Sequence, residues 1–347
     1  MSPAEQPPAA ADVRRPTLNA VAARAGVGRG TVSRVINGSP KVSDRSRAAV
    51  ERAIAELSYV PDPAARSLVT RRTDSVALVV PEAQSRLFSE PYFSGIIRGV
   101  SAGLADAGMR MLLVMVHDEK EYARLAPYLS GQRVDGVLMV AVHSDDTLPD
   151  QLEALAIPTV LAGRRGEREP LGHVRADNRG GAGSAVRHLL ASGRRTVGTI
   201  TGPLDMEAAR ERLDGYREAL REAGASVTEE LVANGDFTEE GGRAAMRELL
   251  DRRPDLDAVF AASDVMASGA VLELRAAGRR VPGDVAVVGF DDSIVARHID
   301  PPLTSVRQPL EEMGRTMARL LLDEIADRGA GHRGVVLPTR LVVRESA

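Results

Sequence analysis

The 347-residue sequence has no cysteine and no tryptophan, and its aromatic supply is five tyrosines and five phenylalanines. Without cysteine there can be no disulfide scaffold, no thiolate metal site and no cysteine nucleophile. No apolar run approaches the roughly 18 residues that span a bilayer, so no membrane partner is expected. The six histidines, His117, His143, His173, His188, His298 and His332, show no metal-ligand spacing. Lys41 and Lys120 are the only lysines, and neither stands in a phosphate-binding loop. Gly26-Val27-Gly28-Arg29-Gly30 has the wrong spacing for a dinucleotide loop and follows no strand-like run. No enzyme and no cofactor are expected. The opening MSPAEQPPAAADV lacks a basic start and a long apolar stretch; residues 1–13 read as a disordered arm rather than a leader, and the chain as cytoplasmic.

What is present is ordinary in bulk and uneven in distribution. An apolar fraction of 44% and a charged fraction of 27% fit a globular protein, and the length predicts two or three domains. Residues 1–72 carry twelve basic and six acidic groups, a balance of +6, within a chain whose total is −3. A small basic head on an acidic body points to a polyanion-binding module joined to something else.

The head is helical in pattern. Thr17 can cap a helix bearing Leu18, Val21, Ala22 and Ala25 on one face. Gly26-Val27 turns into a second segment, Arg29 to Asn37, with Val32, Val35 and Ile36 inward and Gly38 as its stop. Ser43 caps a third helix with Val50, Ile54 and Leu57 buried. Two helices joined at a glycine turn read as a helix-turn-helix, whose second helix shows Arg29, Gly30, Thr31, Ser33, Arg34 and Asn37 outward. Arginine can bond guanine O6 and N7 together, while hydroxyls reach phosphates or bases. A small helical bundle with a solvated basic face fits the same pattern.

From Ser75 the texture becomes α/β. Val76–Val80, Met111–Val116, Val134–Val142, Thr159–Leu161, Val197–Ile200, Ala258–Ala261 and Val285–Phe290 are strand-like runs separated by helix-length segments. That cycle predicts parallel sheets, and roughly ten strands predict two subdomains with a cleft between them. The aromatics are few enough for their placement to carry information. Tyr92 and Phe93 fall at the mouth of the first strand-to-helix connection, and Asp291 and Asp177-Asn178 end strands, where open α/β sheets bind ligands.

The run TLNAVAARAGV at 17–27, then TVSRVING at 31–38 and Val42-Ser43, closely resembles the DNA-binding head of the lactose-repressor (LacI/GalR) family of transcriptional regulators. Pro63-Ala64-Ala65-Arg66-Ser67-Leu68 looks like that family's hinge helix, and the likeness extends to Ser346. Gly28 and Gly30 depart from it, Gly28 standing where serine is usual. The resemblance implies that Thr17 and Leu18 touch the DNA backbone, that Arg29 and Arg34 face base edges, and that Leu68 wedges into the minor groove and bends the duplex. It implies a core like periplasmic sugar-binding proteins, with Arg212 as the effector-binding arginine and Phe237 as the stacking aromatic. Ser263 stands where the family often has asparagine, and Arg164 adjoins a ligand-facing position.

The expected architecture is therefore an all-α helix-turn-helix head (14–60), a hinge (61–72) and an α/β core (73–347) with parallel sheets. The core is divided into a first subdomain of about 73–172 and 304–329 and a second of about 173–303 and 330–347. The expected function is a homodimeric repressor released from a palindromic double-stranded DNA operator by a sugar effector. An aromatic mouth at Phe88, Tyr92 and Phe93 points to a β-linked gluco-oligosaccharide. A solute-binding protein of a sugar transporter is the alternative. An enzyme on the same scaffold would need an acid/base or nucleophile set that the sequence does not offer.

Overall fold

The computed structural model describes residues 16–36, 38–60, 72–82, 90–116, 119–131, 133–327 and 332–347. The expected arm at 1–13, Asn37, the hinge segment with Leu68, and Phe88 lie outside the described residues. The chain divides into two compact units, Met1–Thr73 and Asp74–Ala347.

The first unit holds α1 (Leu18–Ala25), α2 (Arg29–Ile36) and α3 (Asp44–Leu57). Their starts and stops follow local chemistry. The Thr17 hydroxyl accepts from the Ala20 amide, and Gly26 ends α1 in the left-handed region at φ 65°. Ser43 accepts from the Ser46 amide, and Ser58 ends α3 at φ 48°. Val21, Ala22, Val32, Val35, Val50 and Ala53 form the small core.

The second unit runs β1 (Ser75–Val80), α4 (Pro91–Asp106), β2 (Arg110–Met115), α5 (Glu119–Ser130), β3 (Gly136–Met139), α6 (Leu148–Ala154), β4 (Thr159–Ala162) and β5 (Gly172–Ala176). It then crosses through α7 (Asn178–Ala191) to β6 (Val197–Thr201), α8 (Glu207–Glu222), β7 (Val232–Asn234), α9 (Glu239–Arg252), β8 (Ala258–Ala261), α10 (Asp264–Ala276), β9 (Ala286–Asp291), α11 (Ile294–His298) and β10 (Thr304–Arg307). It closes with α12 (Leu310–Ala326), β11 (Gly334–Leu337) and β12 (Arg340–Val342).

Two six-stranded sheets result, ordered β11-β5-β4-β3-β1-β2 and β12-β10-β9-β8-β6-β7. Every pairing is parallel except β10 with β12. Central strands are buried on both faces, which is why they read as unbroken apolar runs rather than alternating ones.

The expected subdomain boundaries need correction. Residues 172–176 form β5 of the first sheet, while 304–307 form β10 of the second. At the end of the chain, β11 returns to the first sheet and β12 to the second. Strand membership is decided by pairing partners: β5 lies between β4 and β11, and β10 between β9 and β12. A local apolar pattern does not encode that choice.

Candidate functional site

In the head, α2 turns its basic and hydroxyl side chains outward. Arg29 and Arg34 are exposed, Thr31 and Ser33 half-buried, and Val32 and Val35 turn inward. Gly28 caps α2 through its backbone, its carbonyl accepting from Thr31 N at 2.8 Å and Val32 N at 3.2 Å. The Arg34 Nε donates to the Gly30 carbonyl at 3.1 Å, so the guanidinium lies along the helix where Gly30 has no side chain. Thr17 is exposed, whereas Leu18 packs against the head core.

In the core, a cavity lies between the two sheets. Its walls come from the carboxyl ends of strands in both: Glu90, Tyr92 and Phe93 after β1, Ala162 to Arg164 at the end of β4, Phe237 after β7, Ser263 after β8, Asp291 at the end of β9 and Gln308 after β10. Open parallel sheets place ligands at those ends because loops and helix N-termini converge there.

Arg212, on α8, is buried and held on three sides. Its Nε donates to Asn178 Oδ1 at 3.0 Å, its Nη1 donates to the Ala262 carbonyl at 2.6 Å, and its guanidinium carbon lies 3.9 Å from the centre of the Phe290 ring. Burial lowers its pKa against the pull of Asp291, its largest opposing influence. The other N–H groups of the fork are left to address the cavity. Asn178 Nδ2 donates to Glu211 Oε2 at 3.0 Å, and Arg164 and Arg175 both donate to Glu211 Oε1, at 3.1 and 2.9 Å. The polar wall is thus pre-organised before any ligand arrives.

Aromatic surface faces this wall. Tyr92 and Phe93 meet edge to face at 5.4 Å between ring centres, and burial pushes the Tyr92 hydroxyl up to about 12. Phe237 is held at φ 67°, and a side chain at Gly202 would collide with its ring. Asp291 stands at φ 112°, strained for a non-glycine residue. Burial raises its pKa despite the neighbouring Arg212. Asp264 behind it is raised by burial too, while accepting from Ser305 Oγ and Ser293 N at 2.6 Å each.

Of the residues expected from sequence, Tyr92, Phe93, Arg164, Arg212, Phe237, Ser263 and Asp291 line the cavity together. Asp177 does not, and Asn178 takes its place. The Asp177 carboxylate caps α7, accepting from Gly180 N at 2.9 Å, which occupies the group with the helix start. Glu90, Arg175, Glu207 and Gln308 line the cavity without having been expected.

A histidine joins the two lobes near this site. His143, in the loop after β3, approaches Asp205 of the second lobe at 2.6 Å through Nδ1 and Glu82 at 3.5 Å through Nε2. The Asp146 carboxylate accepts from the His143 backbone amide at 2.8 Å.

Among the described residues, no helix is long and apolar enough to cross a membrane, and no cluster of His, Asp and Glu could hold a metal. The family model "Bacterial regulatory proteins, lacI family" matches residues 17–62, and "Periplasmic binding protein-like domain" matches 186–347. The chain is 56% identical over 335 residues to the HTH-type transcriptional regulator CelR of Thermobifida fusca, covering 96% of this chain and 98% of that one. It is 33% identical to the HTH-type transcriptional repressor CytR of Escherichia coli K12, covering 95% and 96%. Among solved structures, a CelR–cellobiose complex is similar with a TM-score of 0.78 and 54% identity, over 96% of this chain and 100% of that one. A lac repressor dimer bound to operator and the anti-inducer ONPF is similar with a TM-score of 0.84 and 27% identity, over 96% and 99%. The matched head sets aside the solute-binding alternative, and the chain belongs to the lacI family of bacterial regulatory proteins, a DNA-binding transcriptional regulator.

Proposed function

We propose that this chain is a homodimeric cytoplasmic repressor that binds a palindromic operator through α2 and is released from it by cellobiose or a close β-linked glucoside. The observation that carries the effector reading is the cavity wall. Buried Arg212 is braced by Asn178 and Ala262, while Phe93 and Phe237 supply apolar surface from the two lobes. Glucosyl rings present C–H faces to aromatics and hydroxyl edges to guanidinium and carboxylate groups. The 54% identity to the CelR–cellobiose complex supports cellobiose as the first sugar to try. On the DNA side, Arg29 and Arg34 read base edges, with Thr17, the Leu18 amide, Thr31 and Ser33 on the backbone. No catalytic role falls to any residue of the cavity in this reading.

Effector binding biases the relative position of two lobes that share one ligand, and that bias is coupled to the affinity for DNA. The test is calorimetric titration of cellobiose into the full chain, with operator binding followed by fluorescence anisotropy. Cellobiose is expected to bind and to weaken operator binding by about 5–150-fold. Arg212→Ala is expected to weaken cellobiose by about ten- to a hundredfold and to leave operator affinity without sugar unchanged. Cellobiose that fails to bind, or that binds and leaves operator affinity unaltered, overturns the reading.

A further inference from the structure

The inner cavity does not end in solid protein. Behind one wall lies a second, more open groove, and the two spaces share two lining residues, Asp291 and Gln308. These two are joined: Gln308 Nε2 donates to Asp291 Oδ1 at 2.6 Å. Gln308 follows β10 on the chain crossing between the lobes and is 6% exposed, whereas Asp291 is held at φ 112° at the end of β9. The two spaces therefore adjoin at a hydrogen-bonded pair, which stands as a partition between them.

The first turns of α4 straddle this partition. Tyr92 and Phe93 face the inner cavity, while Ser94 and Arg98 line the outer groove. The outer groove is polar and of mixed charge. Of its cations Arg98, Arg297 and Arg307, the last two are engaged by Asp292 at 3.5 and 2.5 Å, and the carboxylates of Asp291, Asp292, Glu311 and Glu312 outnumber the three, so the groove does not favour an anion. The Ser94 hydroxyl donates to the Pro91 carbonyl at 2.8 Å and keeps its lone pairs as acceptors, while Arg98 adds guanidinium donors; a neutral sugar hydroxyl can use both.

We infer that the Gln308–Asp291 pair is a length stop: it closes the effector site behind a disaccharide and excludes a third glucosyl unit from the outer groove. Specificity of this kind comes from an obstacle to the longer ligand rather than from a better grip on the shorter one. The inference rests on the reading of the inner cavity as a cello-oligosaccharide site. Gln308 is a specificity-determining residue in it, and Ser94 and Arg98 form the latent subsite beyond.

The experiment measures cellobiose and cellotriose binding by calorimetry on the full chain. The wild-type protein is expected to prefer cellobiose by about tenfold or more, within the range that a steric pocket achieves. Gln308→Ala removes the bar, and the preference is expected to fall by about tenfold, whatever happens to cellobiose affinity itself. Adding Ser94→Trp to that variant fills the outer groove and is expected to restore the preference. If Gln308→Ala binds neither sugar, the ratio is read from Gln308→Asn, which keeps the amide and shortens it by one methylene. Equal affinities in the wild type, or an unchanged ratio in the variant, overturn the length stop and leave the cellobiose reading standing. Loss of both sugars in the wild type overturns that reading and the length stop with it.

Discussion

His143 joins two lobes with one imidazole, and its proton is part of the joint. The hydrogen bond to Glu82 raises its pKa most; burial opposes this, and Asp205 raises it further, to about 9. A folded-state value above the unfolded value of about 6.5 means that protonation favours the joined form. The stabilisation is therefore complete below about pH 6.5 and disappears as pH rises through about 9. We expect the core to lose about 1–2 kcal/mol of unfolding free energy between pH 6.5 and 9.5, a value reduced from the full shift because Asp205 is half exposed. His143→Gln should flatten that part of the profile in thermal melts, and a variant that keeps the wild-type slope would remove the histidine from the account. At this scale Asp291 was readable from its place at a strand end, whereas Arg212 and Phe237 were expected from the family resemblance alone; all three line the cavity. The sequence was not readable where a neighbour decides the role. Asp177 and Asn178 are adjacent polar residues at one strand end, and only the cap geometry turns Asp177 onto the helix and Asn178 into the cavity. Gln308 gave no signal, because its partner is 17 residues away across a chain crossing.

Helix α4 carries three glycines at four-residue spacing, Gly95, Gly99 and Gly103, where each would ordinarily weaken a helix by about 1 kcal/mol relative to alanine. The packing explains them. They face α12, and a side chain at Gly99 would strike the Glu311 carbonyl while one at Gly314 would strike that of Ile96. Two backbones meet along this seam with no room for a methyl group, which fixes the helix that presents Tyr92 and Phe93. Gly99→Ala should cost about 1–3 kcal/mol of stability through overpacking. Ser101→Ala, on the exposed side of the same helix, should change little. Differential scanning calorimetry of the two decides it; equal melting temperatures would show that the seam yields. Strand runs and helix caps were readable at this scale because they follow from local chemistry. The seam was not, since four-residue glycine spacing means weakness or close approach depending on what lies opposite.

The whole molecule divides at Thr73/Asp74 into units with separate cores. Removing residues 1–72 should leave a core that binds cellobiose with Kd within about twofold of the full chain and has no affinity for operator, because each unit keeps its own buried apolar residues. A shortened protein that melts far below the full chain or fails to bind would show that the core depends on the head. The two-lobed architecture was readable from the count and spacing of strands, whereas the assignment of 172–176, 304–307 and 334–342 to sheets was not. The chain passes between the lobes three times, and its late strands supply one edge of each sheet. Consider that arrangement during synthesis. When everything up to residue 330 has left the ribosome, β5 of the first sheet and β10 of the second each lack an edge partner. Neither lobe is complete until β11 and then β12 emerge, so the two lobes finish almost together, and a translation stop before residue 334 leaves two open sheet edges rather than one finished half.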